Sequence, residues 1–343
     1  MRVKIEDVCM KGSSNLKQSD VVGKNGIYPV YGAAGYLGSI DSFKQSKPYV
    51  AVVKDGAGIG RAMLLPSNSS IIGTMQYLLP KDNILPEYLY YLIKAKHLEK
   101  YYSGATIPHI YFKDYKNEEF DLFSFEIQCQ IINKLKIIEK IIEKQKKEMD
   151  LLDELVKARF VELFGDPIIN DKGLITELLA NVSNLKAGKA IKTGELSENN
   201  DTNSLFPCFG GNGIRGYINR YTHDGTFPII GRQGALSGNV NFAKGKFYAT
   251  EHAIVVTPKV ELDDTWFFYC LKYLDLKRFQ TGAAQPGVSV EKLNNISIPL
   301  PNYKSQLYFS DFVKEVDKSR LEVQKSLKKT QELFDSLMQK YFG

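Results

Sequence analysis

The chain has 343 residues, of which 43% are hydrophobic and 24% are charged. This balance is typical of a globular protein and excludes collagen-like, disordered and disulfide-scaffold classes. The length suggests about two domains, and the net charge of +6 gives only a mild preference for a polyanionic partner such as nucleic acid.

The first part of the chain, residues 1 to 125, predicts a mixed α/β globule. Short β-prone runs such as residues 49–53 are bounded by glycine turns. Residues 86–101 predict a short amphipathic helix with Pro86 in its first turn. The N-terminus has no hydrophobic stretch, and no later run approaches the ~18 apolar residues of a membrane span, so we expect a cytoplasmic protein that does not cross a membrane.

A long charged segment without glycine or proline follows, near residues 126 to 164, and it predicts one continuous helix. Its apolar positions alternate in steps of four and three, which is the heptad pattern of a coiled coil. We call these positions the seam. In the first helix the seam comprises Ile131, Leu135, Ile138, Ile142, Gln145, Met149, Leu152, Val156, Arg159 and Leu163.

The second half of the chain repeats the first. Residues 28–38 match residues 206–216 in one proline, three glycines and two aromatic positions, at a shift of 178 positions. Gln128 and Gln306 keep this shift, as do the Phe-Gly pairs at 164–165 and 342–343. The sequence therefore predicts a tandem duplication with almost no drift, in which a second α/β globule at 166 to 302 precedes a second long helix.

The heptad pattern survives in the second helix, near residues 304 to 342. Its seam comprises Phe309, Val313, Val316, Arg320, Val323, Leu327, Thr330, Phe334, Leu337 and Tyr341. We expect the two helices to pack on each other, antiparallel if each leads back to the opposite globule. Ile137, Ile141, Leu151 and Leu155 lie beside the first seam, and this additional apolar surface suggests contact with the globules or a docking surface for another protein.

Patterns typical of catalysis are weak or missing. Phe209 to Gly213 forms a Phe-x-Gly-x-Gly string of the kind that methyltransferases use for S-adenosylmethionine, but the chain has no Pro-Pro element to complete it. Asp55 to Arg61 is rich in glycine yet lacks the ending of a phosphate-binding loop. The four cysteines and four histidines share no metal-ligand spacing. We therefore expect no catalytic residues and no metal site.

Each globule carries two glycine-rich loops with cationic, aromatic and amide side chains. This inventory suits DNA, because Arg and Lys contact phosphates or guanine, Asn and Gln pair with adenine, and glycine lets the backbone approach closely. The candidates in the first copy are Tyr31, Tyr36, Lys54, Arg61, Thr106, His109, Tyr111 and Lys113. The candidates in the second copy are Asn212, Arg215, Tyr217, Arg220, Arg232, Gln233, Asn239 and Gln285.

The duplication, the two long helices and the phrases at residues 103–108 and 281–289 together resemble a type I restriction-modification specificity subunit. The Ile-Pro-Leu-Pro string at residues 298–301 also matches that family, whereas residues 120–123 of the first copy depart from it. The resemblance covers the whole chain.

The resemblance implies an α+β fold made of two target-recognition domains, each followed by a long helix, with the helices packed as an antiparallel coiled coil of pseudo-twofold symmetry. The boundaries would be 1–125 and 166–302 for the recognition domains, with spacer helices at 126–165 and 303–343. About 33 helical residues span about 50 Å, which suffices to hold two domains one DNA turn, ~34 to 36 Å, apart.

The resemblance also implies a non-catalytic subunit in which each domain recognises one half of a bipartite double-stranded DNA target. Adenine methylation would belong to two modification subunits with S-adenosylmethionine, and ATP- and magnesium-dependent translocation and cleavage to restriction subunits. The sequence leaves two alternatives open. One is a stand-alone S-adenosylmethionine-dependent DNA methyltransferase, and the other is a coiled-coil scaffold without DNA contact, which the two glycine-rich globules disfavour.

Overall fold

A computed structural model describes residues 1–104, 107–200, 205–282 and 286–343. The chain forms two compact units. Unit 1 comprises residues 1–147 together with 324–343, and unit 2 comprises residues 148–323. The last part of the second repeat therefore belongs to the unit that contains the first repeat. No helix in the described ranges is long and apolar enough to cross a membrane.

Unit 1 contains nine strands and four helices among its described residues. The strands are β1 (Arg2–Lys4), β2 (Cys9–Ser13), β3 (Tyr28–Gly32), β4 (Gly35–Ile40), β5 (Tyr49–Val53), β6 (Ala62–Leu65), β7 (Ser70–Ile71), β8 (Met75–Pro80) and β9 (Glu119–Asp121). The helices are α1 (Ile5–Val8), α2 (Pro86–Ala95), α3 (Phe112–Tyr115) and α4 (Phe125–Phe164), the last of which continues into unit 2.

The strands of unit 1 form three sheets. The largest has the order β2-β8-β5-β6 and is antiparallel throughout. Its central strand β5 is buried at all five positions, because one face packs on helix α2 and the other on a separate cluster around Tyr77. This explains its continuous apolar sequence. The second sheet has the order β4-β3-β7, and β1 pairs with β9.

Unit 2 repeats this order of elements. Its strands are β10 (Thr176–Leu178), β11 (Ser183–Ala187), β12 (Phe206–Gly210), β13 (Gly213–Ile218), β14 (His223–Gly231), β15 (Val240–Ala249), β16 (Ala253–Pro258) and β17 (Ser297–Pro299). Its helices are α5 (Leu179–Val182), α6 (Asp264–Tyr273), α7 (Val290–Asn294) and α8 (Tyr303–Phe342), the last of which ends in unit 1.

Longer strands join the sheets of unit 2. A single six-stranded sheet has the order β11-β16-β14-β15-β12-β13, and β10 pairs with β17. The prediction of almost no drift needs one correction. Elements from β3 onward match β12 onward at the shift of 178 positions, but helix α1 matches α5 at a shift of 174. The second copy therefore has four more residues between β11 and β12 than the first copy has between β2 and β3. The matched glycine and proline positions lie outside this stretch, so the sequence comparison did not show the insertion.

The short helix predicted at residues 86–101 forms as α2 but ends earlier, and α6 is its equivalent in the second copy. Helix α2 ends at Ala95, and a separate 3-10 turn covers Leu98–Tyr101. Helix α6 ends at Tyr273, before a 3-10 turn at Leu276–Phe279. His97 and Asp275, which are 178 positions apart, separate the two pieces with φ of 47° and 48°. This left-handed conformation breaks the helix in both copies.

The two long helices form as predicted and pair antiparallel within each unit. In unit 2, Arg320 contacts Asp153 at 2.7 Å and Tyr308 contacts Arg159 at 2.6 Å. Residues further along α4 therefore contact residues earlier in α8, as antiparallel helices do. In unit 1, Gln145 donates to Ser326 at 2.8 Å. No seam position is exposed, since nine are buried and eleven are partly buried. The buried ones are Ile131, Leu135, Ile138, Ile142, Val156, Phe309, Val313, Val316 and Phe334.

The far end of each long helix is anchored by a buried phenylalanine. Phe342, at the end of α8, packs on Tyr88 of α2 with ring centroids 4.9 Å apart. Phe164, at the end of α4, packs on Trp266 of α6 at 6.2 Å. Both the phenylalanines and their partners are 178 positions apart. The long helices therefore dock on the short helix of each globule through equivalent aromatic contacts.

Candidate nucleic-acid interface

In unit 1, backbone hydrogen bonds join the two glycine-rich loops into one surface. The Gly56 amide donates to the Pro108 carbonyl at 2.9 Å, and the Ile110 amide donates to the Lys54 carbonyl at 2.9 Å. Ser103 and His109 exchange two further bonds of 2.8 Å. We call this backbone arrangement the loop frame, and it fixes residues 54–61 against residues 103–104 and 107–110.

Unit 2 has the same loop frame at the shift of 178 positions. The Gly234 amide donates to the Pro286 carbonyl at 2.9 Å, and the Val288 amide donates to the Arg232 carbonyl at 2.8 Å. Thr281 and Gly287 exchange two backbone hydrogen bonds of 2.9 Å, as Ser103 and His109 do in the first copy. The duplication therefore preserves the backbone of the candidate interface, down to individual hydrogen bonds.

Glycine is required where each loop frame approaches the segment that follows the short helix. Gly60 and Gly238 have φ of 82° and 84°, which strains any other residue. A Cβ at Gly60 would lie 2.5 Å from the Glu99 nitrogen, and one at Gly238 would lie 2.7 Å from the Lys277 nitrogen. These two glycines permit the close contact between each loop frame and the rest of its globule.

Four of the predicted residues of the first copy lie together in unit 1. His109 Nδ1 lies 2.7 Å from Asp55 Oδ1, and Lys54 Nζ lies 3.7 Å from the other Asp55 oxygen. The ring of Tyr111 stacks near His109 at 6.3 Å, and Lys113 Nζ lies 5.4 Å from the Tyr111 ring centroid. Sequence reasoning did not single out Asp55, because its partner is 54 positions away and no local signal connects them.

The other candidates of the first copy are more dispersed. Tyr31 and Tyr36 lie on the β3–β4 hairpin with ring centroids 6.2 Å apart, and Tyr36 is 64% exposed. Arg61 is exposed, and its guanidinium lies beside Gly58. In the described part of unit 1, no hydrogen bond or ring contact joins the two tyrosines to the cluster around His109. Thr106 lies outside the described residues.

Three candidates of the second copy line a groove of about 520 Å³ in unit 2, and a fourth is bonded to one of them. Asn212, Arg215 and Gln233 line the groove, and Asn239 donates to Asn212 Oδ1 at 3.0 Å. The groove is also lined by three residues that sequence reasoning missed, namely Ile214, Leu236 and His252. Ile214 and Leu236 are exposed apolar side chains, which no motif distinguishes from ordinary loop residues.

The remaining candidates of the second copy have local partners. Arg232 is half-buried and donates to the Glu251 carbonyl at 3.4 Å. Arg220 pairs with Glu195 at 2.7 Å and lies over the Tyr248 ring, and its hydrogen bond lowers the pKa of the Glu195 carboxyl. Tyr217 exchanges backbone bonds with Ser197. Gln285 lies outside the described residues.

One cationic position is common to the two loop frames. Lys54 and Arg232 are 178 positions apart, and each accepts the same backbone bond through its carbonyl. Most other positions differ, as where His109 of unit 1 corresponds to Gly287 of unit 2. A shared cation suits a common phosphate contact, whereas different neighbours suit recognition of different bases.

Three of the four cysteines, Cys9, Cys208 and Cys270, are buried and free. Burial raises the pKa of the Cys9 thiol to about 12 and also raises the pKa of Cys208 and Cys270, so these thiols are protonated at neutral pH. The Phe-x-Gly-x-Gly string at 209–213 forms the turn of the β12–β13 hairpin, where Phe209 packs on Phe247 at 5.6 Å. It is thus a structural turn in this fold.

Comparisons with known proteins agree with this geometry. The family model described as "Type I restriction modification DNA specificity domain" matches residues 1–149 and 178–333. The chain therefore belongs to the family of type I restriction-modification DNA specificity domains. This membership supports a DNA specificity subunit and not a stand-alone methyltransferase.

Individual relatives are similar over different parts of the chain. The EcoprrI specificity subunit of Escherichia coli is 40% identical over 139 residues, which are 40% of this chain and 35% of the relative, so that match spans about a third of the relative's length. The MjaVIII specificity subunit of Methanocaldococcus jannaschii is 23% identical over 83% of this chain and 77% of its own length. The crystal structure of the type I S subunit from M. genitalium has a TM-score of 0.66 at 19% identity, covering 100% of this chain and 96% of that one, and thus shares the fold.

Proposed function

We propose that this chain is the specificity subunit of a type I restriction-modification complex and that each globule recognises one half of a bipartite double-stranded DNA target. The observation that carries the proposal is the loop frame, which occurs twice with the same backbone bonds and with different side chains. A duplicated scaffold with divergent loop residues is expected of a protein that recognises two different sequences.

The side chains of each loop frame have complementary tasks under this proposal. Lys54 and Arg232 contact phosphates and set the register of the globule on the duplex. Asn212 and Gln233 line the groove of unit 2, and Asn239 is hydrogen-bonded to Asn212. Amide side chains of this kind pair with adenine in the major groove of DNA. The mild net charge of +6 fits a chain whose DNA affinity is supplemented by partner subunits.

The long helices act as the spacer between the two half-sites. Each helix has 40 residues and is therefore about 60 Å long. That length suffices to separate two recognition domains by one turn of DNA, ~34 to 36 Å.

Catalysis belongs to partner subunits under this proposal. Two modification subunits with S-adenosylmethionine methylate adenine, and restriction subunits use ATP and magnesium, all in the cytoplasm. Ile137, Ile141, Leu151 and Leu155 are exposed on helix α4, as the sequence suggested, and they offer an apolar surface for the modification subunits. The purified chain alone is expected to bind no S-adenosylmethionine.

A methylome comparison tests the proposal. Deletion of this gene from its host, with the partner genes intact, should abolish methylation of one split adenine-containing motif. Retention of every methylated motif would refute the function. As a second test, replacement of residues 1–125 by another recognition domain should change one half of the motif, and a change in both halves would contradict the assignment of one half-site to each globule.

A further inference from the structure

A buried glutamine connects the start of helix α4 to the short helix α2. Gln128 is completely buried, and its Oε1 accepts a hydrogen bond of 2.9 Å from the Leu85 amide, immediately before α2. Its Nε2 donates to the Asn83 carbonyl at 3.2 Å and to the Phe123 carbonyl at 3.0 Å. The amide group thus satisfies three backbone groups, two of which belong to the loop that leads into α2.

The second copy has the same connection. Gln306 is 2% exposed, and its Oε1 accepts from the Asp263 amide at 2.9 Å, immediately before α6. Its Nε2 donates to the Pro301 carbonyl at 2.9 Å. Both glutamines, and both residues whose amides they accept from, are 178 positions apart. A buried polar side chain that keeps the same backbone partner in both copies has a more specific role than filling space.

The short helices also lead directly to the recognition loops. The 3-10 turn after α2 is the segment that Gly60 approaches, and the turn after α6 is the one that Gly238 approaches. A continuous series of contacts therefore runs from the spacer helix through Gln128 and α2 to the loop frame of unit 1. Gln306 and α6 provide the equivalent series in unit 2.

We infer that Gln128 and Gln306 are positioning residues that set the orientation of each recognition globule on its spacer helix and thereby the DNA spacing between the half-sites. This inference rests on the proposed function. One base pair of spacing changes the separation by about 3.4 Å and the rotation by about a tenth of a turn. A globule that tilts more freely on its helix tolerates such a change, whereas a firmly held globule rejects it.

The two copies are not equally dependent on their glutamine. Gln128 makes three hydrogen bonds, one of them with the amide of Leu85, and Leu85 is the N-cap of α2 and has no polar side chain of its own. Gln306 makes two, and the Asp263 side chain caps α6 independently by accepting from the Trp266 amide at 2.7 Å. Loss of Gln128 should therefore loosen its globule more than loss of Gln306.

The experiment measures methylation in cells that express the full subunit with its modification subunits. A plasmid library carries the two half-sites separated by the native spacing and by one or two base pairs more or fewer. We compare methylation of the site with one extra base pair to methylation of the site with the native spacing. Gln128→Ala should raise this ratio by at least about 5-fold, which is the lower end of the affinity lost through one mismatched base pair. Gln306→Ala should give a smaller rise, and neither variant should change the bases of either half-site.

Gln130→Ala is the matched control, because Gln130 is exposed and lies on the same helix two positions away. It should keep the spacing preference of the native subunit. If Gln128→Ala lowers the melting temperature but keeps the spacing preference of Gln130→Ala, the glutamine is merely structural and the inference is wrong. If Gln128→Ala does not fold, the test rests on Gln306→Ala. An unchanged spacing preference in that variant also overturns the inference. A native subunit that methylates no bipartite motif would instead contradict the proposed function.

Discussion

The end of the second repeat stabilises unit 1, and substitution of Phe342 by alanine tests this assignment. Phe342 is 1% exposed and packs on the completely buried Tyr88. Removal of a buried phenyl ring costs about 3 to 5 kcal/mol through lost burial and the cavity that remains. The total stability of a domain is about 5 to 15 kcal/mol, so Phe342→Ala should remove a large part of the stability of unit 1.

Hydrogen exchange measured on separate peptides distinguishes the two units. Amides of β5 in unit 1 should exchange about two to four orders of magnitude faster in Phe342→Ala, since 1.4 kcal/mol corresponds to a factor of ten. Amides of β16 in unit 2 should change little. Phe164→Ala, the equivalent substitution in unit 2, should give the reverse pattern.

Leu333→Ala serves as the control on the same helix, because Leu333 is 51% exposed and its truncation should change stability by no more than ~0.5 kcal/mol. The assignment of Phe342 to unit 1 would be refuted if Phe342→Ala lowered the protection of the β16 amides against hydrogen exchange and left that of the β5 amides unchanged. That result would mean that the end of helix α8 stabilises the globule that precedes it in sequence.

Three further predictions concern the interface and the pH dependence of stability. Gly238→Ala should abolish methylation directed by the second half-site, because it adds a backbone clash to strain of ~1 to 3 kcal/mol; Gly245→Ala, with a φ of 73° and free space around it, should leave the methylation rate near native. Lys54→Gln should make the slope of log DNA affinity against log salt concentration less negative by ~0.9 in a binding titration. An unchanged slope would exclude a phosphate contact of Lys54. Burial, with two nearby lysines, lowers the pKa of His223 in the folded state, so its contribution to stability is present above the unfolded pKa of ~6.5 and is lost as the pH falls below it. His223→Gln should therefore lose less stability than the native chain between pH 7 and 5 in urea titrations, and an equal loss would contradict this linkage.

The long helices were predictable because a coiled coil repeats the same environment every few residues. A periodic pattern of this kind is visible in sequence, and the polar seam residues Gln145 and Arg159 did not obscure it. The shift of 178 positions was equally visible, because glycine at positions of positive φ resists substitution in both copies. The antiparallel pairing followed from the same repeat.

The candidate interface was only partly predictable. The sequence located the glycine loops, but the pairing of Asp55 with His109 arises from contacts between distant segments, which no local pattern reports. The breaks at His97 and Asp275 were also missed, because neither residue type requires a left-handed conformation. Arg220 stays a predicted DNA contact, and its ion pair with Glu195 is a further long-range contact that composition does not report.

The division of the chain into one continuous and one discontinuous unit has a consequence for synthesis. Unit 2 is a single stretch, residues 148–323, and it can be completed as soon as that stretch has left the ribosome. Unit 1 begins first but needs residues 324–343, which are translated roughly 10 to 40 s after residue 147 at 5 to 20 residues per second. The N-terminal globule therefore finishes folding last, and until then its apolar helix face requires protection from aggregation.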